Sequence, residues 1–299
     1  MTPDPAELQA HYLRCLHRYN DPPRGVDDRR LGEIELARAE HDLLEHPPPH
    51  KNESGVWVPR AKGLITADEA RAGATPEGLA ELESLEVPRG PRVRDDFKLI
   101  PKNELDDAFQ QKKKDEALNR PFVKHGLDQD GVGSCASEGY SGCVMFCEEV
   151  AGQDVEPLSP WALYRLVNGG RDQGSSLSAN VSAGAKFGIP TQKVWPRSKG
   201  WRERLSDEAK QDALKHRITE YWRVGSDHEM QTALILGFPV YFGYPGHAIF
   251  AVEYIDSRRF LYKNSWGDGW GDHGFASLRY SSIETGYGRW ATRSTRRAA

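Results

Sequence analysis

The chain predicts an α+β fold of two packed subdomains, and three features carry that reading. Helical patterns dominate its earlier part, apolar strand-like runs dominate its later part, and a polar Gly-rich turn leads into a helix that starts at Cys135. Helices gathered ahead of an antiparallel sheet bury their apolar faces best as two layers around a shared interface. With 299 residues the chain is long enough for one large or two small domains and a substantial core.

Composition narrows the function classes. Hydrophobic residues make up 38% and charged residues 28%, and the formal net charge is −4. That balance gives no general attraction to nucleic acid or to an anionic membrane. No apolar window reaches a membrane-spanning length. Met1-Thr2-Pro3-Asp4-Pro5 lacks the basic and apolar regions of a secretory signal. The four cysteines stand at 15, 135, 143 and 147, with no framework spacing. Cys143 and Cys147 share a helical face without a matching Cys/His pair, so they read as core residues of a reducing compartment rather than metal ligands. No cofactor or metal is expected.

Residues 1–50 read as helical. Leu8, Tyr12, Cys15, Leu16 and Tyr19 form one stripe, and Leu31, Ile34, Ala37, His41 and Leu44 suggest a second. Pro47-Pro48-Pro49 ends that helix. His41, His46 and His50, flanked by proline and without partner ligands, read as solvated surface. Residues 51–95 are rich in Gly, Pro and charge, with a capping box at Thr66-Ala67-Asp68-Glu69 and short helical fragments around Leu79, Leu82 and Leu85. Residues 1–95 are therefore expected to be an N-terminal, mostly helical arm, and 96–299 the main domain.

The texture changes at Asp96. A charged helix is expected from Glu104 to Ala117, then the Cys135 helix, then helices at Pro160–Val167 and at Leu177–Phe187, capped by Gly188. Strands follow at 239–242, 247–254, 260–263 and 275–280, with a turn at Asp256-Ser257-Arg258.

Chemistry concentrates at a few points. Cys135 opens its helix, where unpaired N–H groups and the positive dipole end favour a thiolate. Gln129, six residues earlier across the Gly-rich turn, can aim an amide at the same space. Of the ten histidines, His247 is best placed as a base. It follows the turn Gly243-Tyr244-Pro245-Gly246 and begins a buried-looking strand, while His125, His216, His228 and His273 read as surface. Asn264 returns one hairpin later, where a neutral amide can accept the Nδ1 proton of the imidazole and fix its orientation. Trp266 can cover that hydrogen bond and exclude water.

Together Gln129…Gly133-Ser134-Cys135, Gly246-His247-Ala248 and Asn264-Ser265-Trp266-Gly267-Asp268-Gly269-Trp270-Gly271 resemble the papain-like cysteine peptidases, in the family's order Gln, Cys, His, Asn. The resemblance covers roughly residues 95 to 290 and is weakest between 150 and 235. It implies a helical subdomain carrying Cys135, a sheet or barrel subdomain carrying His247, and a peptide-cleaving cleft between them. Cys135, His247, Asn264 and Gln129 would be the catalytic set. Ser175, Ser176, Leu177, Gly246 and Trp266 would line the substrate cleft, Gly174-Ser175-Ser176-Leu177 standing for the family's Gly-Gly segment.

Two departures stand out. Val132 replaces the first cysteine of the family's Cys-Gly-Ser-Cys-Trp run, so its usual disulfide cannot form, and Ala136 replaces the tryptophan after the nucleophile. The resemblance implies a protein or peptide substrate, with the arm acting as an inhibitory pro-segment in cis or as an anchor on a larger assembly. The expected setting is intracellular or virion-associated. A non-catalytic papain-like scaffold and an acyl transferase are the alternative functions.

Overall fold

The computed structural model describes residues 4–20, 26–45, 50–51, 57–58, 63–85, 96–218 and 220–293. His46 and the Pro47-Pro48-Pro49 run lie outside the described residues, as do the side chains of Tyr19, Leu31, Ile34 and His50.

The arm opens with α1 (Pro5–Asn20) and α2 (Val26–Glu45), packed on each other. Tyr12 and Cys15 of the expected α1 stripe are buried, with Leu8 and Leu16 packed against them. On α2 the buried positions are Leu36, Ala39, Glu40, Leu43 and Leu44, whereas His41 is exposed. Of the expected stripe Leu44 is buried and Ala37 half-buried, and Glu40 turns inward to a buried ion pair with Arg259 and a hydrogen bond from Ser277.

Short strands β1 (His50–Lys51) and β2 (Trp57–Val58) pair antiparallel. Next come α3 (Ala67–Ala72) and α4 (Pro76–Glu83). Thr66 and Glu69 form the expected capping box, and Thr75 caps α4 with proline at its first turn. Helix α4 packs against α7, with Arg165 held by Glu81 at 2.6 Å.

The main domain contains α5 (Leu105–Lys114), α6 (Cys135–Val150), α7 (Pro160–Val167), α8 (Leu177–Lys186), α9 (Asp207–Ala213) and α10 (Asp227–Ile235). Its strands are β3 (Glu220–Arg223), β4 (Val240–Tyr244), β5 (His247–Tyr254), β6 (Arg259–Lys263), β7 (Phe275–Arg279) and β8 (Arg289–Arg293). They form one antiparallel sheet in the order β3-β8-β4-β5-β6-β7. The sequence pattern missed α9, α10, β3 and β8, whose apolar positions are few or irregular.

Strand period 2 sorts the core into two layers. On β4 and β5, Val240, Phe242, Ile249 and Ala251 face a core shared with α1, α2, α5 and α10. Tyr241, Ala248, Phe250 and Val252 face a second core built on α6, α7 and α8. Strand β5 is buried on both faces, which explains its continuous apolar run.

Helix α6 is buried from Cys135 to Glu149 and lies directly on β5. Gly142 permits that approach, since a Cβ there would lie 2.4 Å from the Phe250 ring. Each fully buried side chain of the Val144 or Phe146 kind contributes ~1.5–3 kcal/mol through its apolar area. Cys143 and Cys147 lie in this core, and all four cysteines are buried thiols outside any disulfide. His125, His216 and His228 are tied down rather than free at the surface: to Val155 O at 2.9 Å, Glu148 at 3.0 Å and Ile100 O at 2.7 Å. Among the described residues no helix is long and apolar enough to cross a membrane, and no group of His, Cys, Asp or Glu is placed to hold a metal ion.

Candidate active site

The turn before α6 is built to hold its shape. Asp130 and Gly131 adopt left-handed φ values of 53° and 79°, with the Asp128 carboxylate accepting from Asp130 N–H at 3.0 Å. Backbone bonds then join the turn to the segment after β6: Gln129 N–H to Ser265 O at 2.9 Å, and Gly267 N–H to Leu127 O at 2.9 Å. The two subdomains meet through this seam, so Gln129 is brought to the Asn264 block.

The Gln129 side chain is locked there. Its Oε1 accepts from Trp266 Nε1 at 3.1 Å and Ser265 Oγ at 3.0 Å, and its Nε2 donates to Val132 O at 2.9 Å. A fully buried amide with both oxygen lone pairs engaged has one orientation.

His247 is the first residue of β5, reached through a tight Pro245-Gly246 hairpin with Gly246 at φ 70°. Its Nε2–H donates to Asn264 Oδ1 at 2.8 Å, and that oxygen also accepts Ser265 N–H at 2.7 Å. This reverses the expected ring orientation. Nε2, not Nδ1, faces the asparagine, because β5 and the end of β6 set Asn264 on the far edge of the imidazole. Trp266 stacks on the ring at 4.7 Å and 27°, covering the Asn264–His247 bond as anticipated. Trp270 then braces Trp266 edge-on at 5.6 Å.

Cys135 is the first helical residue of α6 and is completely buried. Backbone N–H groups of Ala248, Gly63 and Ala136 face its sulfur. Burial nevertheless pushes the thiol up to about 11, with a smaller upward push from Glu138, and the three amides do not reverse it. The sequence favoured a thiolate from the helix terminus alone. In this conformation desolvation wins, because the arm shuts water out.

Segment 63–65 of the arm does the covering. Gly63 O accepts Ser175 N–H at 2.9 Å, Ile65 N–H donates to Ser175 O at 3.3 Å, and Leu64 N–H donates to Gly246 O at 3.1 Å. Leu64 and Ser175 therefore form a parallel β-bridge. The Leu64 side chain is buried against Gly243, where a Cβ would come within 2.8 Å of its Cδ2.

Of the expected cleft residues, the backbones of Ser175 and Gly246 hold this strand. Ser176 Oγ instead caps α8 through Ala179 N–H at 3.2 Å, Leu177 is buried in the α6 core, and Trp266 lies behind His247. Ser175 Oγ points inward to Asn180 Nδ2 at 2.9 Å, and Asn180 Oδ1 accepts Ser137 Oγ–H at 2.7 Å. The cleft wall is thus fastened to the helix of Cys135.

A second fastening went unseen in the sequence. One oxygen of Asp172 accepts from Gly133 N–H and from Tyr164 O–H, each at 2.8 Å, and Tyr164 accepts Gly174 N–H at 2.9 Å. This polar clip joins the turn before Cys135 to the cleft wall in a chain whose Val132 offers no sulfur. Gly63, Leu64 and Asp172 carried no periodic or motif signal, and Tyr164, inside the expected helix at Pro160–Val167, carried none of its bond to Asp172.

No family model matches the sequence. An uncharacterized peptidase C1-like protein of Acanthamoeba polyphaga mimivirus is 21% identical over 224 residues, 60% of this chain and 71% of that protein. Xylellain, a cysteine protease from Xylella fastidiosa, superposes with a TM-score of 0.52 at 22% identity, over 81% of this chain and 100% of the other. Digestive procathepsin L 3 of Tenebrio molitor larval midgut gives 0.54 at 14% identity, over 96% and 99%. The Amb a 11 cysteine protease of ragweed pollen in its proform gives 0.52 at 17% identity, over 97% and 96%. The fold is that of the papain-like cysteine proteases.

Proposed function

We propose that this chain is a thiol-dependent endopeptidase whose N-terminal arm acts as an inhibitory pro-segment. The observation that carries the first half is the fixed His247 Nε2–Asn264 Oδ1 pair beside the strand whose Ala248 amide faces the Cys135 sulfur. With Nε2 held by Asn264, Nδ1 is the nitrogen that takes the Cys135 proton. The thiolate attacks a peptide carbonyl carbon, and the oxyanion is met by Cys135 N–H and the second hydrogen of Gln129 Nε2, each donor worth ~3 kcal/mol. The C–N bond breaks as His247 Nδ1–H protonates the leaving amine. Water, deprotonated by His247, then cleaves the thioester and restores the thiol.

The arm supports the second half of the reading. What it offers Cys135 is the Gly63 N–H. Bridged to Ser175 on one side and bonded to Gly246 O on the other, this segment lies across the cleft beside Cys135. The fold likeness to two proforms extends across the arm as well.

The test is hydrolysis of a peptide library together with mass analysis after treatment with a thiol-reactive epoxide. Wild type should take one adduct on Cys135 and hydrolyse peptide, both increasing when the arm is displaced, and Cys135→Ala should do neither while keeping its melting temperature. Equal hydrolysis by Cys135→Ala would overturn the proposal.

A further inference from the structure

One helical turn beyond Cys135 lies a carboxyl group that the mechanism above does not use. Glu138 is completely buried, and on a helix a residue three positions on is a side-by-side neighbour. Its Oε1 accepts from Arg197 Nη2 at 3.2 Å, and its Oε2 has no hydrogen-bond partner among the described residues. The Arg197 guanidinium in turn lies over the Trp161 ring at 4.9 Å, which fixes where its charge sits.

We propose that Glu138, paired with Arg197, is a positioning residue that sets the ionisation of Cys135. The inference rests on Cys135 being the nucleophile. Cys135 and Glu138 occupy the same positive end of α6, so two negative charges there compete for one dipole. The groups facing Glu138 are Cys135 on its own helix, Asp128 and Asp130 on the turn that carries Gln129, and Arg197 from the loop after α8. Burial pushes the Glu138 carboxyl up to about 7, against the downward pull of Arg197, and the two aspartates add to the upward push. In that range the pair has two states. With Glu138 ionised, the guanidinium is neutralised and Cys135 feels little net charge. With Glu138 protonated, Arg197 is left as an uncompensated cation near the helix start and favours the thiolate. Glu138 thereby offsets, on the acid side, the loss of thiolate that a falling pH otherwise brings.

The experiment is the rate of iodoacetamide modification at Cys135 in the full chain, read by peptide mass from about pH 5 to about pH 9. Every sample, the reference included, carries Gly63→Ala to unseat the arm strand, so the midpoint reports the sulfur in an open cleft. Glu138→Gln should move the midpoint down by roughly half to one pH unit. Arg197→Gln should move it up and serves if the first variant does not fold. Glu148→Gln, which alters a buried glutamate of the same helix paired with His216, should leave the midpoint where the reference has it. Unchanged midpoints in both Glu138→Gln and Arg197→Gln would overturn the inference. Peptide hydrolysis measured on the same samples separates the two readings. A shifted midpoint without Cys135-dependent hydrolysis fails the peptidase alone, and Cys135-dependent hydrolysis with unshifted midpoints fails the inference alone.

Discussion

Leu64 N–H donates to the carbonyl of Gly246 at 3.1 Å, tying the arm to the residue immediately before His247. The same short strand is held on its other side by Ser175, so it spans the cleft from helical wall to sheet wall. The close fit leaves no room for a side chain beside the turn before Cys135. A Cβ on Gly63 would lie 2.1 Å from Gly133 O, a backbone atom that cannot swing away. Gly63→Ala should therefore unseat the strand, and hydrolysis of a small peptide by the full chain should rise severalfold over wild type. Initial rates on a fluorogenic peptide check this.

Farther from the cleft, the arm is held by Glu40, buried on α2 with Arg259 of β6 and Ser277 of β7. Removing one partner of a buried pair strands the other charge at ~3–5 kcal/mol. Glu40→Ala should loosen the arm, seen as faster proteolysis of residues 1–95 and higher peptidase activity. Glu40→Leu combined with Arg259→Met, which leaves no buried charge, should restore docking.

In the proposed mechanism Asn264 and Gln129 make separable contributions. Asn264→Ala removes the acceptor that orients His247, and kcat should fall roughly 10-fold or more with little change in KM. Gln129→Ala removes the oxyanion donor of the proposed mechanism, with an expected fall in kcat of ~100-fold. Steady-state kinetics on each variant, with the arm displaced, separates kcat from KM.

The Asp172 clip joins the Gly133 turn to the Gly174 wall through one carboxylate oxygen. Asp172→Ala leaves the buried Tyr164 hydroxyl and Gly133 N–H without that acceptor, a loss of ~1–3 kcal/mol. Both KM and kcat should suffer, and Asp172→Asn, which keeps an acceptor oxygen, should recover most of the activity.

The Glu138 carboxyl also predicts how stability follows pH. Its folded value, about 7, lies above the ordinary 4.5, so the folded chain binds the proton more tightly than the unfolded one. That contribution is fully present below the unfolded value and is lost as pH rises towards 7. Glu138→Gln removes the loss. Its stability relative to wild type should grow by ~2–3 kcal/mol between about pH 5 and about pH 8, measured by urea midpoints.

Much of this site was legible along the chain. Cys135 at a helix start, His247 at a strand start and Asn264 just after a strand each followed from local pattern, and the helix at Pro160–Val167 and the strand at His247–Tyr254 have the expected bounds. On α2, Leu44 is buried as the stripe requires, and the inward turn of Glu40 was not legible because its partner Arg259 lies far along the chain. The histidine ring was misoriented because the edge meeting Asn264 depends on how β5 and β6 register, which no local spacing encodes.

What the sequence alone determined was the set of local conformations: a Gly-rich turn into a helix, a turn before a buried-looking strand, a capping box in the arm. These follow from backbone sterics, periodicity and side-chain-to-backbone bonds within a few residues. Only the tertiary structure decided which nitrogen of His247 meets Asn264, that Asp172 fastens the turn before Cys135, and that Gly63 lies on Cys135. Each of these depends on groups far apart in the chain meeting within about 3 Å, the range over which hydrogen bonding and desolvation act.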